Sequence, residues 1–392
     1  MMRSVCGALV LGLVLSACGG DEASKPPEMP AAPPPVAVVT PPAPVEAPAP
    51  VAAKPTLGEL MAANGKARMD AMAAHDAAKI AATYSEDAVV TSPGMPDAHG
   101  RGEIQASWQS RFDAFKDSKG WASRVWVKND TVVVEWGWTG TNTGDFMGMK
   151  PTEKKVGQMG VSVMTYSADG LVKKENAYMD GVTMMTQMGL AKGKVRPIPT
   201  APSGPAEMHM AKGTPEEDKN VELVKTAYTA MENKKEADFL GTMSDDVEYN
   251  DMTMPEAMKG KTEAKKFFGM ITKALPDLKT PATTSMGVED YAIIEFNMTG
   301  TQKGPMGPIA ATKKPVNVHG VDIIQVKDGK MVRGWMYANN AELLGQLGLM
   351  KAPAAAKTTT TTTTPATTAT TTTAKKPATP ATPATPATPP KK

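Results

Sequence analysis

Between residues 221 and 231, apolar side chains return every three or four positions, at Val221, Val224, Tyr228 and Met231. That spacing lines up one face of an α-helix. A second stripe of the same kind runs through Ile104, Trp108, Phe112 and Phe115, and a third through Ala264, Phe268, Ile271 and Leu275. Other segments have the length and β-rich content of strands: TVVVEWGWTG (131–140) and YAIIEFNMTG (291–300), then EKKVGQMGVSVMTYS (153–167) and KKPVNVHGVDIIQVK (313–327). Asp-Gly at 169–170 and 328–329 predicts a tight turn into one further strand. Shorter strands are expected at DAVV (87–90) and DVEY (246–249), each following the opening helix of its region.

These elements come twice and in the same order. TGTNTG at 139–144 returns as TGTQKG at 299–304, 160 positions on. MPDA (95–98) returns as MPEA (254–257), SEDAV (85–89) as SDDVE (244–248), and TQMGL (186–190) as GQLGL (345–349). Each region starts with a capping box, Thr56 with Glu59 and Thr214 with Glu217, the second carrying Pro215 at the first helical position. A period this long is a duplicated domain; solenoid repeats are much shorter. The copies span residues 56–190 and 214–350, joined by a linker at 191–213. Helices first and antiparallel strands later predict an α+β domain.

Composition accounts for the remainder. Residues 19–55 are mostly Pro, Ala and Val, which suits an extended tether reaching on the order of 100 Å at about 3.1 Å per residue. Residues 351–392 are Thr, Pro, Ala and Lys, a tail expected to be disordered. A net charge of +2 over 392 residues argues against a nucleic-acid partner, which needs a concentrated basic face. Arg3 followed by GALVLGLVL (7–15) reads as an export signal, too short to span a bilayer. The signal ends in LSAC (15–18), which resembles the lipobox of bacterial lipoproteins. That resemblance makes residues 1–18 a lipoprotein signal peptide and Cys18 the lipidated residue, attached to the lipid bilayer. Gly19 after the lipid site leans toward the outer membrane by family sorting rules, so the expected location is the cell envelope. With Cys6 lost in the signal and Cys18 acylated, the mature chain has no disulfide and no thiol nucleophile.

HGVDIIQVKDGKMVRGW (319–335), LLGQLG (343–348) and the TGTxxG strand end together resemble the SnoaL-like polyketide cyclase, or ester cyclase-like, family. That family belongs to the nuclear transport factor 2-like superfamily. The resemblance implies two tandem cone-shaped domains, each a curved antiparallel sheet wrapped on helices, with a pocket at the open end. It implies that a pocket carboxylate in family enzymes works as general acid/base on an enolisable carbonyl. Sheets of the superfamily often pair, which raises the expectation of an internal pseudo-dimer of the two copies.

The family places acids around the last strand. Here the second copy keeps Trp335 but has Met336 and Asn339 at the acidic positions, while the first keeps Asp180 and has Asn176 for the tryptophan. Further upstream, the second copy has Asp322 and His319 where the first has Ser162 and Met159. The candidate catalytic acids are therefore Asp180 and Asp322. Asp180, with Tyr178 on the same strand face and His99 in the loop above, is either a pocket acid or a helix cap. His319 and Asp322 are three apart, so in a strand they point to opposite faces. Trp335, Tyr337 and Asn339 share a face and are candidates for the wall of a ligand pocket. If Trp136 and Trp138 face the core, strand parity leaves Glu135 in solvent.

Methionine is abundant, at 29 residues, and mostly follows the apolar stripes. MHM at 208–210 is the best soft-metal segment, yet four histidines and no regular methionine array give no metal site, and no cofactor motif is present. The sequence thus reads as an envelope lipoprotein whose duplicated domains bind a small apolar ligand or an envelope component without catalysis. The alternative is an isomerase or cyclase working through Asp180 or Asp322.

Overall fold

Thr56 and Thr214 begin the two copies with complete capping boxes, each threonine hydroxyl accepting from the amide of the glutamate three residues on and each threonine amide donating to that glutamate's carboxylate. The computed structural model describes residues 54–350. The export signal, Cys18, nearly all of the tether and the Thr/Pro tail lie outside the described residues.

The first copy runs α1 (Leu57–Ala73), α2 (Ala77–Ala82), β1 (Tyr84–Thr91), β2 (Ala98–His99), α3 (Gly100–Ala114), β3 (Lys119–Lys128), β4 (Thr131–Thr141), β5 (Lys155–Tyr166), β6 (Val172–Tyr178) and α4 (Gly181–Gln187). A short strand, β7 (Glu207–Met210), follows. The second copy repeats the order as α5 (Pro215–Glu232), α6 (Glu236–Gly241), β8 (Met243–Asp251), β9 (Met258–Lys259), α7 (Gly260–Ala274), β10 (Ala282–Val288), β11 (Tyr291–Thr301), β12 (Pro315–Lys327), β13 (Lys330–Ala338) and α8 (Asn340–Gln346). No helix among the described residues is long and apolar enough to cross a membrane.

The sheets have the orders β2-β1-β6-β5-β4-β3-β7 and β10-β11-β12-β13-β8-β9. Most pairs are antiparallel, but β1 lies parallel to β6, and β8 parallel to β13. A parallel neighbour needs a long crossover, which the helix and intervening strands provide. Strands β3 and β10 escape the sequence reading because their alternation is weak; Ala282 to Ser285 are all exposed. The linker is also not wholly irregular, since β7 pairs parallel with β3 from Arg124–Glu207 to Val127–Met210.

TGTxxG now has a physical meaning. Thr143 and Gly144 donate their amides to the Ala114 carbonyl at the end of α3, and Lys303 and Gly304 do the same to Ala274 at the end of α7. A Cβ on Gly144 would sit 2.3 Å from the Asp113 carbonyl oxygen, and one on Gly304 2.5 Å from that of Lys273. Only glycine allows the backbone this close. Thr141 and Thr301 complete the clamp by donating amide and hydroxyl to Asp117 and Asp277. The motif ties strand to helix.

Each sheet has two covered faces. Helices pack on the inner face, with Ile80, Ile104, Phe112 and Met164 buried in the first copy and Val224, Phe268, Ile294 and Ile324 in the second. The outer faces meet each other in one apolar cluster, where Trp126, Val133, Val161, Val163 and Tyr178 pack with Met286, Val288, Tyr291, Ile293, Val321, Ile323 and Tyr337. Burying each such side chain contributes about 1.5–3 kcal/mol, so this shared layer holds the copies together.

Candidate functional site

Asp322 on β12 points into the second cone and is only 4% exposed. Two phenols close on it: Tyr249 of β8 donates at 2.6 Å, and Tyr228 of α5 donates to the other oxygen. Burial pushes the Asp322 carboxyl up to about 6, the two tyrosine hydrogen bonds pulling the other way, with nearby Asp251 adding a further upward push. No cation reaches it among the described residues. Tyr249 fits because β13 has Gly334 beneath it, where a Cβ would sit 2.5 Å from the ring.

The first cone solves the same problem differently. Ser162 occupies the register of Asp322, and the acid moves to Glu175 on β6, which pairs with β1 at the register where Gly334 meets Tyr249. Glu175 is 3% exposed. It accepts from Arg68 Nη2 at 2.8 Å, from Ser162 Oγ at 2.6 Å and from the Tyr84 hydroxyl. Burial alone would raise its pKa; Arg68 and the three donors outweigh that and hold the carboxyl below its ordinary value. Trp136 closes the cluster by donating Nε1 to Ser162 at 2.9 Å.

A third set of polar groups lies between the copies. Tyr178 donates to Glu295 at 2.8 Å, joined by Asn176 Nδ2 at 2.8 Å. In return, Tyr337 donates to Glu135, which also holds Arg124 through Nε at 2.8 Å and Nη2 at 2.6 Å. The helix caps are shared as well. Asp180 accepts from Thr183 of its own helix at 2.9 Å and from the Asn340 amide at 2.9 Å, while Asn339 accepts from Ala341 and Gly181, each at 3.0 Å.

Residues 66–175 match the family model described as the SnoaL-like domain, and residues 222–347 match the SnoaL-like polyketide cyclase model. The chain carries two SnoaL-like domains in tandem. Among solved structures, a protein of Jannaschia sp. CCS1, provisionally described as a SnoaL-like polyketide cyclase, is 18% identical with a TM-score of 0.33, covering 35% of this chain and 96% of its own. TsrD from Streptomyces laurentii is 18% identical with a TM-score of 0.32, covering 35% and 98%. A protein of Bacillus cereus ATCC 10987, provisionally described as a polyketide cyclase, is 24% identical with a TM-score of 0.29, covering 34% and 82%. No curated protein matches the chain.

Within the two SnoaL-like domains, the residues singled out from sequence do not converge. His99 is exposed at the start of α3 and caps nothing. His319 bonds Glu342, through Nδ1 at 2.6 Å and its amide at 3.0 Å, away from Asp322. Of the two readings of Asp180, the structure shows the helix cap, with both oxygens engaged. Asn339 is its counterpart and lines no shared wall with Trp335 and Tyr337. Glu135 is corrected too: the tryptophans do face the cone, yet Glu135 is 4% exposed because the second sheet covers its side. Glu175 and the Tyr249 hydroxyl carry no mark in the sequence, since Arg68 lies 107 positions from Glu175 and Asp322 lies 73 from Tyr249.

Trp335 and Tyr337 instead line an open cleft of about 470 Å³ where the two domains meet. Arg124 lies 3.6 Å from the centre of the Trp335 ring. Arg196, from the segment connecting the domains, and Arg333 of β13 also face it. In the MHM segment, Met208 and Met210 are exposed while His209 stacks on Trp126, so the sulfurs and the imidazole do not converge. Among the described residues no group of three or more His, Cys, Asp or Glu is placed to hold a metal.

Proposed function

We propose that this chain is an envelope-anchored lipoprotein whose two SnoaL-like domains form a binding module for a small ligand or envelope component, without turnover. One observation carries the reading. The interior acids are engaged by groups of their own domain, Glu175 by Arg68, Ser162 and Tyr84, and Asp322 by Tyr228 and Tyr249, one phenol on each oxygen. The open cleft, with Trp335 and Tyr337 in its wall, is the place where this reading seats a ligand. Anchoring through Cys18 follows from the lipobox and is tested by labelling with a fatty-acid analogue, which Cys18→Ala should abolish. Native mass spectrometry of the protein purified from its host tests binding; a stoichiometric small molecule is the expected result. Purified protein free of any bound molecule, together with turnover of a trial substrate, would remove the reading.

A second reading has one specific support. The Asp322 carboxyl, pushed up to about 6 between two phenols, has the acidity a general acid/base needs near neutrality. The reaction would be isomerisation or cyclisation at an enolisable carbonyl. A pH–rate profile on trial carbonyl substrates decides it: loss of turnover in Asp322→Asn, with Asp180→Asn unaffected, would establish this reading.

A further inference from the structure

The contacts between the two domains are arranged in matched pairs, and the cleft breaks the match. Glu135 and Glu295 hold equivalent places, each taking a tyrosine hydroxyl from the other domain. Around Glu295 the remaining neighbours are modest: Asn176 donates to it, and Thr284 pairs with it across the strands. Around Glu135 the equivalent places hold Trp335 and Arg124. Asparagine and threonine suffice to join the domains, so the arginine and tryptophan are more than a joint requires.

Charge is the second observation. Arg124 is neutralised by a two-point pairing with Glu135. Arg196 is not matched in this way. Its Nη2 donates to the Asp251 carbonyl at 3.1 Å, but its Nε is buried and meets no acceptor among the described residues. Burial pulls its pKa below the ordinary arginine value, with Asp251, Tyr337 and Glu248 only partly offsetting this. Leaving a buried donor unmet costs about 1–3 kcal/mol, more when the group is charged. Arg333 is exposed in the cleft lining, and the Glu248 opposite it on β8 lies 4.0 Å from Lys259. The acid facing them from the connecting segment, Glu207, has a 69% exposed side chain and lies 3.8 Å from His209.

We propose that the cleft between the domains binds a small organic carboxylate, its charge taken by Arg196 and Arg333 and its apolar body by Trp335, Tyr291, Met159 and Met252. Guanidinium groups suit a planar carboxylate, whose oxygens accept charge-assisted hydrogen bonds from them. A cleft of about 470 Å³ fits a molecule of aromatic-acid size. Arg196 belongs to the connecting segment, of which the chain has one, so one ligand per chain is expected. This inference rests on the binding-module reading and adds the ligand's class and place to it.

Isothermal titration of the full chain tests it, using benzoate and indole-3-acetate against their uncharged amides. The acids should bind one per chain, at least about tenfold more tightly than the amides, a difference of about 1.4 kcal/mol. Arg196→Gln should weaken the acids about tenfold. Arg333→Gln, at an exposed position, should weaken them by a smaller factor and guards against a folding defect at Arg196. Equal binding of acid and amide, no binding of either acid, or unchanged affinity in both variants would overturn the inference. A neutral molecule found on the purified protein, with the acids ignored, would remove the carboxylate while leaving the module. Turnover abolished by Asp322→Asn would remove the module itself.

Discussion

The Tyr178 hydroxyl, on the last strand of the first domain, lies 2.8 Å from the Glu295 carboxylate of the second. The reverse bond, from Tyr337 to Glu135, makes the relationship reciprocal. Both bonds are buried in the apolar layer between the sheets. A buried carboxylate there is costly unless its acceptors are filled. The domains are therefore mutually dependent: either one alone would expose an apolar sheet face and leave its glutamate without a phenol.

Tyr178→Phe should destabilise the chain by about 1–3 kcal/mol, because Glu295 keeps Asn176 but loses its buried donor. Urea unfolding checks this. A domain expressed alone, residues 56–190, should show exposed apolar surface by dye binding, and a loss of stability no greater than that of a surface substitution would contradict this account.

Arg68→Met should cost about 3–5 kcal/mol, since it strands Glu175 in the first cone. Adding Glu175→Gln to that variant should restore much of the loss, because the acid no longer carries a charge. A double-mutant cycle on denaturant midpoints measures the coupling. Simple additivity of the two changes would show that the pair is not coupled.

The two cones should respond oppositely to pH. Asp322 has a folded pKa of about 6, above its ordinary 3.8. The folded state therefore holds the proton longer than the unfolded one, and stability falls as pH rises from about 4 to 6, by on the order of 2–3 kcal/mol. Glu175 is shifted down, so its contribution is present above the usual glutamate range and fades as pH drops through its folded value. Asp322→Asn should remove the first slope, leaving the variant relatively more stable at pH 7.5 than at pH 4.5. Urea midpoints at those two values decide the matter, and parallel pH curves for variant and parent would refute the assignment.

Asp180→Ala should cost about 1–2 kcal/mol through the lost cap and the lost bond to Asn340. Asp180→Asn should cost less than half of that, because Asn339 performs the equivalent task in the second domain. Thermal unfolding distinguishes the two substitutions. Equal losses would mean that the charge, not the cap, matters at this position.

Much of the architecture is legible in the order of residues. The capping boxes, the stripe through Phe268 and Ile271, the Asp-Gly turns and the 160-residue repeat depend on neighbours a few positions apart, so local spacing specifies them. Strands β3, β7 and β10 are not legible in this way, because their pairing partners, and not their own alternation, hold them in a sheet.

The candidate site divides along the same line. Trp335 and Tyr337 stand out from the last-strand pattern, and strand parity separates His319 from Asp322. Sequence by itself determined the duplication, the main helices and the longest strands, since each is written in consecutive residues. Tertiary structure alone decided that Glu135 is buried, that the interior acid sits at 322 in one domain and at 175 in the other, and that Arg196 faces a cleft. Those outcomes depend on which surface covers which, and a covering surface can be contributed from anywhere along the chain.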